Sequence, residues 1–404
     1  MTWLTKIGLG AIVLIAVLIQ LPIAQRTVAL VRLGLAIGKT IQPISDFAHT
    51  YQCRRIVDPW LEACEDMWLS EATRKLYLAC SDPEARDQWM PNEGQLNLTG
   101  RSTRDAIIMM DLETLDFSKL PMPGFPGTQG DGIINFNGFT GADREDGCVD
   151  LFITNFRPSI DTFTGLVLPD QAAVGGNSTI EVFKTCPKAD SLEHVRTIAD
   201  RAVVTPNRVA VTEGGGLYLT NDHGQHKIGW RNLVSPILLT GDVTYCPDDA
   251  SAACQTVSEG YGYPNGLITS HLDGLVYVPR SAQGGITVLR PRKDQSLEFV
   301  DEINIPYAID NLSEDRNGVI WAAVIPNAIQ FMRQAKDPRH QSPSSSVFKI
   351  FRTEKGLYEV VKVLEDRHGQ VLPGTTTVVH DVTTARLFLS GRRKELTQYP
   401  NLLK

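Results

Sequence analysis

Five oxygen-bearing side chains lie between positions 65 and 311 of this chain. They are Glu65 in Cys64-Glu65-Asp66, Asn207 in Pro206-Asn207, Asn265 in Pro264-Asn265-Gly266, and the neighbours Asp310 and Asn311. Each stands at a similar offset from a short apolar strand pattern. If those strands repeat around one axis, the five side chains converge at its end. Oxygen-only donors suit a hard cation, calcium before zinc. An amide carbonyl ligates without adding charge, so one Asp and one Glu leave a calcium site near neutral. Five donors fall short of calcium's usual six to eight and leave places for water or substrate. Taken singly, Asn and Asp are turn formers, so the set carries the metal reading.

The elements that would position them recur from residue 60 onward. A polar or glycine turn precedes four to six apolar or β-branched residues. The copies are residues 74–80, 148–154, 215–220, 273–278, 317–322 and 384–389. Weaker strands lie between them, such as 180–183, 286–289 and 347–350. Many short strands punctuated by turns mean an all-β fold. Six copies at a loose period of about 60 residues predict a six-bladed β-propeller over residues 51–404. A β-sandwich with a helical insert is the alternative. Helical turns are expected only near 189–199 and 327–335. Residues 118–132, rich in Pro and Gly, should bridge to the second blade, and 336–346 read as a polar loop.

The 404 residues carry a net charge of −7, which gives no electrostatic footprint for nucleic acid. Residues 7–24 carry no charge and as a helix would reach about 27 Å, close to a hydrocarbon core. Leu21 and Pro22 stand where signal cleavage needs small residues, so residues 1–24 are expected to remain as a signal-anchor. Residues 25–50 read as an amphipathic helical segment that could lie on a membrane surface. Export favours disulfides among the seven cysteines. Cys246 and Cys254 flank a polar loop, and Cys148 with Cys186, or Cys64 with Cys80, could also pair, which would leave Cys53 odd. Asn97 and Asn177 head glycosylation sequons. Asn311 heads a third by spelling but is expected to be buried.

At its motifs the chain resembles the serum paraoxonase/arylesterase family of calcium-dependent lactonases and esterases. The stretches that carry the resemblance are Cys64-Glu65-Asp66, Thr205-Pro206-Asn207, Leu219-Thr220-Asn221-Asp222-His223, Pro264-Asn265-Gly266 and Ile309-Asp310-Asn311-Leu312-Ser313. The resemblance implies a six-bladed propeller. It also implies that Glu65, Asn207, Asn265, Asp310 and Asn311 hold a catalytic calcium. Asp66 and the carbonyl of Phe139 match ligands of a second, structural calcium. Where the family continues with Asp, this chain has Arg208. A guanidinium there could replace the second ion by pairing with Asp66, so one calcium is expected.

Three family histidines align with Asn137, Phe156 and Ile325. A histidine dyad activating water therefore cannot operate. Water activation would fall to Asp310 or Glu65. His223 matches a family position near the active end, where a structural hydrogen bond is the simpler role. Phe136, Phe139, Phe156 and Ile325 are expected to line a pocket for small lipophilic esters or lactones. The reading is a calcium-dependent lactone or aryl-ester hydrolase in the secretory pathway, anchored or secreted. The alternatives are an isomerase or cyclase on the same scaffold, or a non-catalytic binding propeller that calcium stabilises.

Overall fold

The computed structural model describes residues 21–38, 53–249, 251–392 and 396–399. The fold is a β-propeller built from six four-stranded antiparallel sheets, with one extra two-stranded ribbon, Trp89–Met90 with Gln95–Leu96. The innermost strands are Asp66–Ser70, Phe136–Asp143, Pro206–Val211, Ile268–Thr269, Ala308–Glu314 and Thr375–Asp381. The second strands are Lys75–Cys80, Val149–Asn155, Leu217–Asn221, Val276–Pro279, Ile320–Ile325 and Arg386–Gly391. Those second strands are the six apolar copies of the sequence. They are almost wholly buried because neighbouring sheets cover both of their faces.

The ring closes across the termini. Arg54–Ile56 supplies the fourth strand of the last sheet by pairing with Leu396–Tyr399. The sides of that junction are also tied near the axis. Thr376 Oγ1 donates to the Glu65 carbonyl at 2.8 Å, and Arg74 Nη2 meets Asp381 Oδ2 at 2.7 Å. Closure of this kind leaves no long unpaired edge.

Cys64–Cys80, Cys148–Cys186 and Cys246–Cys254 are disulfide-bonded, and Cys53 is free and exposed. The first bridge fixes the chain immediately before Glu65 to the end of the adjoining strand. Closing its 16-residue separation is worth about 3 kcal/mol.

Two local expectations need correction. The helical turn expected near 189–199 is the strand Glu193–Ile198, which pairs with Thr179–Thr185. Its β-branched residues and a ready partner strand decide for sheet. The ten-residue helix Gly229–Leu238 was not expected; it contains Pro236 and lacks a side-chain N-cap, so the usual start signals are missing. Helix Ala328–Lys336 lies where a turn was expected, and Asn327 caps it through the amide of Gln330 at 3.0 Å. The helix Pro22–Gly34 overlaps the expected amphipathic segment, with Ile23, Val28 and Val31 exposed. Most of the expected anchor lies outside the described residues. Among those described, no helix is long and apolar enough to cross a membrane.

Candidate active site

The innermost strands bring the distant polar residues together because most of them are bulged where those residues sit. Register shifts fall between Phe136 and Phe139, Pro206 and Val209, Ile309 and Leu312, and Thr375 and Thr377. A bulge adds a residue and re-aims its side chain. Here the bulged positions include Asn137, Asn207, Arg208, Asp310 and Asn311. Gly266 is needed for the same crowding, since a Cβ there would lie 2.0 Å from Asn311 Oδ1.

A chain of contacts traces the ring. Asn311 Nδ2 donates to the Glu65 carbonyl at 3.1 Å. Arg86 Nη2 lies 3.2 Å from Glu65 Oε2 and 3.5 Å from Asn137 Oδ1. Asn137 Nδ2 donates to the Asn207 carbonyl at 3.0 Å, and Asn207 Nδ2 reaches Asp222 Oδ2 at 3.4 Å. Asn265 hydrogen-bonds Asp310. All five expected ligands are buried.

The electrostatics are those of crowded carboxylates out of water. Burial, then repulsion from Glu65 and Asp66, holds the Asp310 carboxyl well above the usual range. Burial raises Asp222 to about 7, against donors from Asn92 and Asn207. Asn311 Oδ1 and Asp222 Oδ1 are buried without a partner. An orphaned amide oxygen beside repelling carboxylates is a set that a hard cation would satisfy. Among the described residues, no three His, Cys, Asp or Glu side chains are arranged to hold a metal. The candidate therefore depends on amide oxygens together with two carboxylates.

Below this ring a guanidinium fills the channel. Arg208 Nε lies 2.7 Å from Asp66 Oδ2 and 3.3 Å from the Phe139 carbonyl. Its Nη1 donates to the Leu312 carbonyl. Asp66 also accepts from the amides of Met67 at 2.9 Å and Phe139 at 3.0 Å. Even so, burial raises its carboxyl to about 6, with Arg208 pulling the other way.

A family model for arylesterases matches residues 167–396, more than half of the chain. The chain belongs to the arylesterase family. It is 31% identical to mouse serum paraoxonase/arylesterase 1 over 56% of this chain and 64% of that protein. It is 29% identical to rat serum paraoxonase/arylesterase 2 over 49% of this chain and 55% of that one. The matches thus span roughly half to two thirds of these relatives' length. Among solved structures, the Malassezia sympodialis allergen Mala s 1 superposes with a TM-score of 0.53 at 11% identity, over 86% of this chain and 95% of that one. That likeness concerns the fold alone.

Within this family member the three histidine-aligned positions diverge. Asn137 faces the ring. Phe156 is wholly buried against Trp89 and Met90, and Trp89 Nε1 donates to its carbonyl at 2.8 Å. Ile325 is buried at the end of its strand. His223 stands edge-on to Tyr263 at 5.2 Å, with Nδ1 on Ser235 Oγ. Burial lowers its pKa to about 4, so it is neutral at ordinary pH.

The expected lipophilic lining is not what the structure shows. Phe136 and Phe139 flank the bulge and turn into the core between the first two sheets. Period-2 alternation sends them away from the axis once Asn137 faces it. A small cavity lined by Pro83, Arg86, Met90, Glu93, Gln334 and Arg392, among others, reaches the two arginines near Glu65, but none of the five expected ligands lines it. Sequence reading missed both arginines. Asp82-Pro83-Glu84 is a helix-start signal that could have found helix Pro83–Gln88, and Asp82 Oδ1 does cap it at 2.9 and 3.1 Å. No local signal points to Arg392.

Proposed function

We propose that this chain is a calcium-dependent hydrolase of lactones or aryl esters. The observation that carries the reading is the convergence of Glu65, Asn207, Asn265, Asp310 and Asn311, with Asn311 Oδ1 left buried and unpartnered. These five residues would hold one calcium. The ion when bound would supply Lewis-acid polarisation of a carbonyl oxygen.

The chain's own residues supply the rest. Asp310 takes the proton from the attacking water. Asp310 is buried and hydrogen-bonded by Asn265, which holds its carboxylate among the other four residues. Asn137, tied to the Asn207 carbonyl, occupies the place of a family histidine and donates hydrogen bonds without titrating. Asp66 is engaged by Arg208, which supports a single ion. The bulk of Phe156 is sequestered, so it contributes position through its carbonyl and no chemistry.

The setting is a secretory compartment, supported by three disulfides. Asn97 is exposed and open to glycosylation. Asn177 is half-buried beside a buried Ser178, and Asn311 is buried. Exposed Ile23, Val28, Val31, Trp230 and Leu233 on helices Pro22–Gly34 and Gly229–Leu238 suit contact with a membrane surface.

The test is hydrolysis of phenyl acetate and a γ-lactone, with and without chelator, alongside metal analysis. One calcium per chain and activity abolished by chelator are expected. Asp310→Asn should lower kcat by about 100-fold or more. Full activity in chelator, or no hydrolysis of either substrate, would refute the proposal.

A further inference from the structure

We infer that the Tyr263 hydroxyl donates a hydrogen bond to a charged oxygen bound beside the polar ring. Within the hydrolase reading, on which this part rests, that oxygen is the substrate's carbonyl oxygen as it takes up negative charge. Tyr263 lies two positions before Asn265, in Tyr263-Pro264-Asn265. Its side chain stands edge-on to His223, with 5.2 Å between ring centres. His223 follows Asp222, whose Oδ2 takes the Asn207 amide at 3.4 Å. On the other side, Asn265 hydrogen-bonds Asp310. The phenol is thus bracketed by two parts of the polar ring, and the charges of Asp222, Asp310 and Glu65 all act on it.

The backbone there is held in an unfavourable shape. Tyr263 has φ +56°, in the left-handed region, and no other aromatic among the described residues does. Hydrogen bonds on both sides fix it. The Ser281 amide donates to the Tyr263 carbonyl at 3.0 Å, the Ala282 amide to Gly262 at 3.0 Å, and the Asn265 amide to Pro279 at 3.1 Å. Strain enforced by its surroundings clusters at functional positions. The hydroxyl also differs from its counterparts. Tyr218, Tyr261 and Tyr277 bond theirs to Gln295 at 3.0 Å, Ser258 at 2.6 Å and Asp273 at 2.9 Å. A buried phenol normally finds such a partner. Among the described residues the Tyr263 hydroxyl has none. It is not sealed off either, because Tyr263 is half-buried while Glu65, Asp222, Asn265 and Asp310 are buried.

A free neutral O–H beside the ring suits an oxygen that arrives with the substrate. Burial, then Asp222, Asp310 and Glu65, holds the phenol well above its ordinary range, so it keeps its proton. It therefore adds a donor without adding charge. When water attacks and Asp310 takes the proton, the carbonyl electron pair moves onto oxygen. A donor already in place strengthens its hold at that moment. It does so where no histidine stands at positions 137, 156 or 325. The simpler role, packing against His223, explains the ring but not the hydroxyl, since Phe would pack as well.

Tyr263→Phe removes the hydroxyl and keeps the ring on His223. Because the hydroxyl has no partner in the fold, thermal midpoint and calcium affinity should match the parent's. A variant that melts early or loses calcium would show a structural role and overturn the inference. Phenylphosphonate, whose tetrahedral charged oxygens mimic the oxyanion, is then titrated calorimetrically into each full chain in calcium buffer. It should bind the parent roughly tenfold tighter than the variant. With phenyl acetate and a γ-lactone, the variant's kcat should fall about tenfold or more, with KM changed by less than about twofold. Equal affinity for phenylphosphonate, or binding to neither protein, overturns the inference. An unchanged kcat in the variant also overturns it and leaves the hydrolase reading standing. Tighter binding to the parent, without hydrolysis of either substrate, supports the donor and refutes the hydrolase reading.

Discussion

Glu65 and Asp66 are neighbours in sequence, yet each meets a different guanidinium in a different setting. Asp66 is closed in by Arg208, two backbone amides and Thr377. Glu65 meets Arg86 at 3.2 Å and Arg392 at 3.9 Å. Strand alternation alone puts successive side chains on opposite sides. The inner pair is enclosed, with the Arg208 nitrogens on Asp66 and two carbonyls. Around Glu65, the Nε atoms of Arg86 and Arg392 and Asn311 Oδ1 are buried and unpartnered. A satisfied buried network stiffens a fold, whereas each orphaned buried group needs an explanation, and beside crowded carboxylates a cation supplies one for Asn311 Oδ1. The difference separates the strut from the site by one residue.

Arg208→Ala should strip Asp66 of its counter-charge and lose about 3–5 kcal/mol of stability, read by chemical denaturation. A loss below 1 kcal/mol would mean that the strut is not needed. The same substitution should leave the calcium stoichiometry of the mouth at one per chain, checked by metal analysis.

Asp242 is a buried carboxylate held by neutral donors. Asn221 Nδ2 reaches its Oδ1 at 2.8 Å and Thr244 Oγ1 at 3.0 Å. Burial raises its carboxyl to about 6, from 3.8. The folded chain then holds this proton more tightly than the unfolded chain does. The group favours folding below about pH 4, and that contribution is lost as pH rises through 6. Ionisation above that range costs about 2–3 kcal/mol. Asp242→Asn cannot ionise, so its stability relative to the parent should improve between pH 4 and pH 7. Parallel denaturation midpoints at both pH values would refute this.

At the surface the smallest effect is expected. Lys75 Nζ meets Asp111 Oδ2 at 2.5 Å with both side chains about a third exposed. Lys75→Ala should change stability by no more than about 1 kcal/mol, and less in high salt. A larger change in thermal denaturation would show that exposed pairs matter here as much as buried ones.

Local patterns were enough for the repeat. Runs such as Leu76-Tyr77-Leu78 and Val276-Tyr277-Val278 mark strands without help from distant residues. Cys246–Cys254 and Cys148–Cys186 were among the pairings considered, the first because its cysteines flank a polar loop and the second because they lie on neighbouring strand patterns. Helix Gly229–Leu238 was not readable, since it begins without a cap and holds a proline. The polar ring was legible as residue types, through Pro206-Asn207, Pro264-Asn265 and Asp310-Asn311. Its lining was not, because Phe136 and Phe139 look like pocket residues until the bulge turns them inward.

The sequence by itself determined a repeated all-β chain with oxygen-bearing residues at matching places in several repeats. Set against the family it resembles, it also puts Arg208 where a carboxylate is expected and no histidine at positions 137, 156 or 325. Only the tertiary structure decided which charges meet. Arg86 and Arg392 are separated by most of the chain, and closure of the ring brings both beside Glu65. Strand periodicity is a property of adjacent residues, so it can be read along the chain. The meeting of buried charges depends on how sheets close around an axis, and that is settled only when the whole ring packs.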